Sequence, residues 1–253
     1  MQRNEAHLTQ DSESGTEPRR LARAEAVLQG RTRQWCVVLE DAHDPHNVGA
    51  VLRTCEAFGI QDVHLVVENQ NLSVLNPKVS MGAHHWLTLH RHAGAESAIA
   101  ALRATGYQLY VSHLDAGATP LPHLPGGTRA AYVFGNERTG VTAQWVDAAD
   151  ATFVIPTSGF SGSLNLSVAV ALTVYDRLLG RRDANLPAGN LPAPELQALR
   201  ASWYEQLAGG NADRQQEYAA FLDRPVAPRR ELGIDRRRRT ARHEPAPRPP
   251  EHP

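Results

Sequence analysis

A chain of 253 residues, 42% hydrophobic and 21% charged, has the length and composition of one large folded domain with appendages. Its two cysteines, Cys36 and Cys55, are too few and too far apart for a disulfide framework or a cysteine-based zinc site. The opening M-Q-R-N-E-A-H lacks the apolar core of a signal peptide, and no run of about 18 apolar residues occurs, so a soluble cytoplasmic protein is expected.

The formal net charge of -1 hides an asymmetry. Residues 1–17 carry Glu5, Asp11, Glu13 and Glu17 against Arg3, with too little apolar content to fold, and are expected to be disordered. The stretch from Arg224 to Pro253 is rich in arginine, with the run Arg236–Arg239, and reads as a flexible tail suited to phosphate backbones. Lys78 is the sole lysine; arginine replaces it everywhere, as in a compositional bias.

Pro18 to Gly30 reads as a helix with Leu21, Ala24, Val27 and Leu28 on one face. Arg19, Arg20, Arg23, Arg31 and Arg33 surround that face and are either solvated or an RNA-facing patch. Trp35 to Glu40 is a short buried strand. Pro45 then opens a helix in which Val48, Val51, Leu52, Cys55 and Phe58 recur at helical spacing, and Gly59 ends it. Val63 to Glu68 is the next strand, and this strand–helix–strand order makes a parallel pair. Residues 69–92 read as one long connection and, with Lys78, Ser80 and Gly82, as a binding loop. His84, His85, His90 and His92 have no carboxylate or cysteine at ligand spacing, so no metal is expected.

A helix over 95–105, a strand over 107–114, a strand ending at Gly135, a short helix over 141–149 and a strand over 151–155 follow. The last strand leads into I-P-T-S-G-F-S-G-S-L-N, a loop broken by Pro156, Gly159 and Gly162, and then a helix of small and apolar residues over 168–179. Ser163 and Asn165 stand where that helix leaves its first N–H groups unpaired. A Pro/Gly/Asn linker over 180–194 and helices over 194–207 and 211–222 complete the ordered chain. Strands alternating with helices define an open α/β sheet, in which ligands sit beyond the carboxyl ends of the strands. The candidate site is therefore built from residues 112–114, 135–137 and 155–165.

No G-x-G-x-x-G follows the first strand and no phosphate-binding G-x-x-x-x-G-K-[ST] occurs. G-F-S-G-S around Ser161 departs from a nucleophile elbow at its last position. Three polar clusters remain: Asn47 with Arg53, Asn136 with Glu137, and Ser163 with Asn165. Taken singly, Arg53 reads as a surface charge and Glu137 as a carboxylate at a helix start.

Taken together, N-V-G-A-V-L-R-T-C-E-A-F-G from Asn47, F-G-N-E-R-T-G-V from Phe134 and I-P-T-S-G-F-S-G-S-L-N-L-S-V-A from Ile155 resemble the three motifs, in order, of the SpoU (TrmH) branch of the SPOUT superfamily of RNA methyltransferases. K-V-S-M-G-A-H-H-W, from Lys78, and the extra terminal helices are similar to members that methylate tRNA. The resemblance implies a mostly parallel α/β sheet with a C-terminal trefoil knot around the third motif, an exception to unknotted topology. It divides the chain into a disordered 1–17, an N-terminal helix over 18–34, a knotted methyltransferase domain over 35–180, a helical extension over 181–224 and a tail over 225–253. It implies S-adenosylmethionine held through Ser112, Gly135, Ile155 and Leu164, homodimers with the last knot helix at the interface, and transfer to a ribose 2′-hydroxyl, foremost guanosine 18 of the tRNA D-loop. Arg53 would activate that hydroxyl, Asn47 would orient Arg53 or a phosphate, and Glu137, Ser163 and Asn165 would hold the site. Arginine, with a pKa above ~12, is a poor base, so positioning and oxyanion stabilisation are as open as proton abstraction. The third motif departs from many members in T-S-G after I-P and in Leu166. The same chemistry on 23S ribosomal RNA or another tRNA position is the alternative target, and a non-catalytic RNA-binding protein is the alternative class.

Overall fold

The computed structural model describes residues 18–67, 80–126, 129–187 and 189–229. The disordered start, Lys78 and the Arg236–Arg239 run anticipated above lie outside the described residues. Helix α1 (Arg19–Leu28) leads into β1 (Thr32–Glu40), α2 (Pro45–Ala57) and β2 (Ile60–Val66). Then come β3 (Thr88–His92), α3 (Ala95–Ala104), β4 (Gln108–Ser112), the short β5 (Thr119–Pro120) and β6 (Ala130–Phe134). Helix α4 (Ala143–Ala148), β7 (Ala151–Val154), α5 (Leu166–Asp183), α6 (Ala193–Ala208) and α7 (Ala212–Ala219) follow.

The seven strands form one sheet in the order β3-β2-β1-β6-β4-β7-β5, and every pair is parallel. Parallel strands need crossovers over the faces, so the central strands are covered on both sides and carry apolar residues at successive positions. In β1, Val37 and Leu39 point to α2 and α5, among Val51, Leu52, Val170 and Val174. Cys36 and Val38 point to α3 and α4, among Ala98, Leu102 and Trp145. Burial of that whole run removes water from both faces, and each fully buried Val or Leu contributes about 1.5–3 kcal/mol.

A third cluster caps the opposite end from the motif loops. Leu21 and Leu28 of α1 pack on Trp203 and Tyr204 of α6 and on Tyr218 of α7. Inside this cap Glu25 is buried and accepts hydrogen bonds from Arg200 Nε at 2.7 Å and from the Tyr204 hydroxyl at 2.8 Å. Among the described residues no helix is long and apolar enough to cross a membrane.

Several local expectations shift. The 69–92 connection contains β3, because T-L-H-R-H is an edge strand whose polar residues hide its pattern. Helix α5 starts at Leu166 and runs through Gly180 to Asp183, where a linker was expected. That linker is packed rather than loose: Gly189 lies so close that an added Cβ would meet the Gln29 carbonyl oxygen at 2.1 Å, and Asn190 N–H donates to the Arg31 carbonyl. Past Pro225 the chain also packs, with Val226 buried in the cap and Arg229 N–H bonded to the Ala22 carbonyl. Phe58, expected in the core, is exposed and instead tilts against Tyr175 of α5.

Candidate active site

Parallel strands all end on the same side, so the loops after β4, β6 and β7 converge. They enclose a cavity of about 420 Å³ at the carboxyl ends. Ser112, Gly135, Ile155 and Leu164, the four positions expected to hold a cofactor, all line it, as do Glu137 and Ser163. Apolar walls come from Leu114, Phe134 and Leu166. Such a mixture of apolar surface and a few polar groups suits a small ligand with a flat apolar part and a polar end.

The loop after β6 is shaped by close approach. The Asn136 and Gly140 backbones exchange N–H···O bonds at 3.1 and 2.8 Å, folding residues 136–140 back on themselves. A Cβ on Gly135 would sit 2.1 Å from the Gly140 carbonyl carbon, so glycine is required there. Two tethers then fix this loop to the end of β1, its neighbour in the sheet. Asn136 Nδ2 donates to the Asp41 carbonyl at 2.8 Å. The buried Glu40 carboxylate accepts the Thr142 N–H at 2.7 Å and the Thr142 hydroxyl at 2.8 Å. Glu40 was not singled out in the sequence. A carboxylate closing an otherwise apolar strand was the available signal, since a buried charge must find donors.

The three motifs meet in a hydrogen-bonded chain. Asn165 is the N-cap of α5, where its Oδ1 accepts the Ser167 N–H at 2.9 Å. Its Nδ2 donates to Asn47 Oδ1 at 3.0 Å, and Asn47 Nδ2 in turn donates to Glu137 Oε1 at 2.5 Å. One amide from each of two helices thus orients a carboxylate at the cavity rim. Asp44 caps α2 through the His46 N–H, setting the first turn that carries Asn47.

Arg53 is not part of this chain. Six residues at about 100° each leave it on a different face of α2 from Asn47. It is exposed and lines a separate groove of about 670 Å³ together with Arg23, Phe58, Met81 and Trp86. Two other arginines leave the anticipated RNA-facing set. Arg31 is fully buried, donates to the Ile60 carbonyl and to Glu56 and lies over the Trp203 ring; burial lowers its pKa to about 10. Arg33 pairs with Asp62 at 3.1 Å and Glu195 at 2.7 Å. The histidines separate into two groups: His84 bonds Ser80 and lies tilted against His85, while His90 and His92 stack on His64.

A parallel sheet, a cavity at its carboxyl ends and a polar relay contributed by two helix starts and a glycine loop define an α/β protein of the class that binds a small ligand beyond its strand ends. The model of the SpoU rRNA Methylase family matches residues 34–175, and the chain belongs to that family. It is 37% identical over 186 residues to the tRNA (guanosine(18)-2′-O)-methyltransferase of Borreliella burgdorferi, covering 74% of this chain and 84% of that one. Among solved structures it is similar to the A. aeolicus TrmH/SpoU tRNA modifying enzyme, with a TM-score of 0.68, 26% identity and coverage of 74% and 96%. It is also similar to the AdoMet-bound rRNA methyltransferase from Sinorhizobium meliloti, with a TM-score of 0.54, 28% identity and coverage of 62% and 60%.

Proposed function

We infer that this protein transfers a methyl group from S-adenosylmethionine to a ribose 2′-hydroxyl of RNA, with guanosine 18 of tRNA as the target. The observation that carries this reading is the joining of Asn47, Glu137 and Asn165 at the rim of a cavity lined by all four anticipated cofactor positions. A tRNA modifying enzyme is covered to 96% of its length, against 60% for the rRNA methyltransferase from Sinorhizobium meliloti, which favours tRNA over ribosomal RNA.

The cavity fits the cofactor. Ser112, Gly135 and Ile155 bring loop backbone to its lining beside the polar Asn136, Glu137 and Ser163, and Leu114, Leu164 and Phe134 offer apolar surface to a flat base. When bound, S-adenosylmethionine supplies an electrophilic methyl group on a positively charged sulfur. What the chain itself must do is hold the acceptor oxygen in line and offset the charge it develops. Asn47 and Asn165 fix the Glu137 carboxylate, and Ser163 adds a hydroxyl at the same rim. Arg53 supplies the cation: it holds the ribose oxygen and an adjacent phosphate and stabilises the oxyanion, for which a permanently charged guanidinium is suited. No metal takes part in this reading.

Arg53 faces away from the cavity of its own chain, and a homodimer accounts for that. Val168, Leu172, Tyr175 and Leu179 form an exposed apolar stripe along α5, continued by Phe58 at the end of α2. Paired through this stripe, two copies bury it, and α2, which packs on α5, brings its outer face to the seam. Arg53 of one copy then serves the cavity of the other. The trefoil knot belongs to the same reading. It is supported by a sheet in which β6 inserts between β1 and β4, and β7 between β4 and β5. So do the methyltransferase domain at 35–180, the extension at 181–224 and a cytoplasmic location.

The test is transfer from labelled S-adenosylmethionine to an unmodified tRNA transcript and to one with G18 replaced. Label in the first alone is expected. Equal label in both would remove guanosine 18 as the target, and label only in ribosomal RNA would move the substrate there. Tight RNA binding with no transfer to any RNA would leave a binding protein.

A further inference from the structure

The groove beside Arg53 shares no lining residue with the cavity of its own chain, and it is the larger of the two, at about 670 Å³. It is walled by α1, α2 and the turn over 80–86, the described end of the connection marked in the sequence as a binding loop. Two guanidiniums, Arg23 from α1 and Arg53 from α2, are exposed on it, and neither has a partner among the described residues. The acid on its wall, Glu56, is already engaged by the buried Arg31 at 3.3 Å, so the groove presents net positive charge. Its remaining surface is apolar: Met81 is 74% exposed, and Trp86 is held edge-on by Trp203 with centroids 5.4 Å apart, while Phe58 at its far end belongs to the stripe assigned to the dimer seam.

We propose that this groove seats an unpaired nucleotide of the RNA substrate next to the target ribose, with its phosphate between Arg23 and Arg53 and its base against Met81 and Trp86. Cations that track a backbone beside faces on which bases stack are the composition that binds single-stranded nucleic acid. A protein partner would need acids and an apolar anchor; the open cations and the volume, within the range of about 300–1,000 Å³ typical of small-ligand sites, favour one nucleotide. The proposal rests on RNA methylation as the reaction and deepens it, by assigning where the acceptor strand is gripped.

The experiment compares the full-length protein with Arg23→Ala, Met81→Ala, Met81→Phe and, as a control of equal charge on the same helix but outside the groove, Arg19→Ala. Steady-state transfer to a tRNA transcript, RNA binding across a salt series, S-adenosylmethionine binding and sedimentation are measured. Arg23→Ala is expected to raise KM for RNA about tenfold and to lower the salt slope of log K by about 0.7–0.9, the signature of one lost phosphate. Its kcat and cofactor affinity should stay near wild type. Met81→Ala should raise KM several-fold without changing the slope, and Met81→Phe should restore it. Equal effects of Arg19→Ala and Arg23→Ala would reduce the groove to diffuse charge and overturn the proposal. So would unchanged RNA affinity in Arg23→Ala, or a change of oligomeric state in the groove variants, which would make the groove an interface between copies. A wild-type protein that transfers to no RNA would instead fail the underlying reaction.

Discussion

Helix α2 serves two surfaces of different construction. At its amino end Asn47 bonds Glu137 on a cavity lined by glycines, hydroxyls and apolar side chains, with Glu137 and Arg138 as its acid and its cation. Near its carboxyl end Arg53 joins a groove built from cations and large apolar side chains. The first suits a small cofactor that must be oriented to a fraction of an ångström, and its groups are tied down by hydrogen bonds from three segments. The second suits a flexible polyanion, and its arginines are left open. A single motif in sequence is thus divided in space between two surfaces, which the proposed reading assigns to cofactor and acceptor.

The largest expected effect comes from removing the cation that the reading places on the ribose oxygen. Arg53→Ala should cut kcat about a hundredfold or more while leaving S-adenosylmethionine affinity unchanged, measured by single-turnover transfer and calorimetry. Mixing Arg53→Ala with Asn165→Ala chains sharpens the division. If Arg53 serves the cavity of the other copy, mixed dimers regain one intact site and activity returns; if both act within one chain, mixtures stay inactive.

Next comes the glycine loop. Gly135→Ala forces a Cβ to within 2.1 Å of the Gly140 carbonyl carbon. Cofactor affinity should fall by at least about tenfold, because strain of the order of 1–3 kcal/mol must be relieved by opening the loop. RNA affinity should hold, since the groove lies elsewhere. Glu40→Gln is milder: the amide keeps one acceptor for Thr142, and cofactor KM should rise a few-fold, in line with about 0.5–1.5 kcal/mol for one weakened hydrogen bond. Equal losses of RNA and cofactor affinity in either variant would mean that the two surfaces are not independent.

The smallest effect at neutral pH is expected outside both surfaces. His64 is packed against His90, His92 and Asp62, and burial, reinforced by the two imidazoles, lowers its pKa to about 3. A folded-state pKa below the unfolded value of ~6.5 means that the unfolded chain takes up the proton first. The stability tied to neutral His64 is therefore complete above about pH 6.5 and is lost as pH falls from there toward 3. His64→Gln should flatten the acid side of a Tm–pH profile while leaving transfer at pH 7.5 unchanged. Acid loss of activity that persists in this variant would then report on the site itself.

How much was legible in the sequence differs by region. The buried strands, the helix from Pro45 and the three loop segments that line the cavity were readable because apolar period and glycine or proline breaks are local signals. Strand β3 was hidden, since an edge strand buries too little to need an apolar pattern. Helix α5 overran Gly180, because Arg181, bonded to the Pro187 carbonyl and to Gln34 and lying over Trp35, anchors its last turn. Arg31 and Arg33 read as surface charges and turned out to be spent on the interior and on ion pairs, which composition cannot reveal.

The sequence by itself determined the class of fold and the identity of the polar groups, because alternation of short apolar runs with helices permits few architectures and the motif residues are written in the chain. Only the tertiary structure decided their grouping. Asn47, Glu137 and Asn165 became one relay because parallel order carries every strand's carboxyl end to the same edge. Arg53, six positions from Asn47, was turned to the other surface by the pitch of a helix. Neither consequence is local, since both depend on which elements pack side by side and on which face each presents.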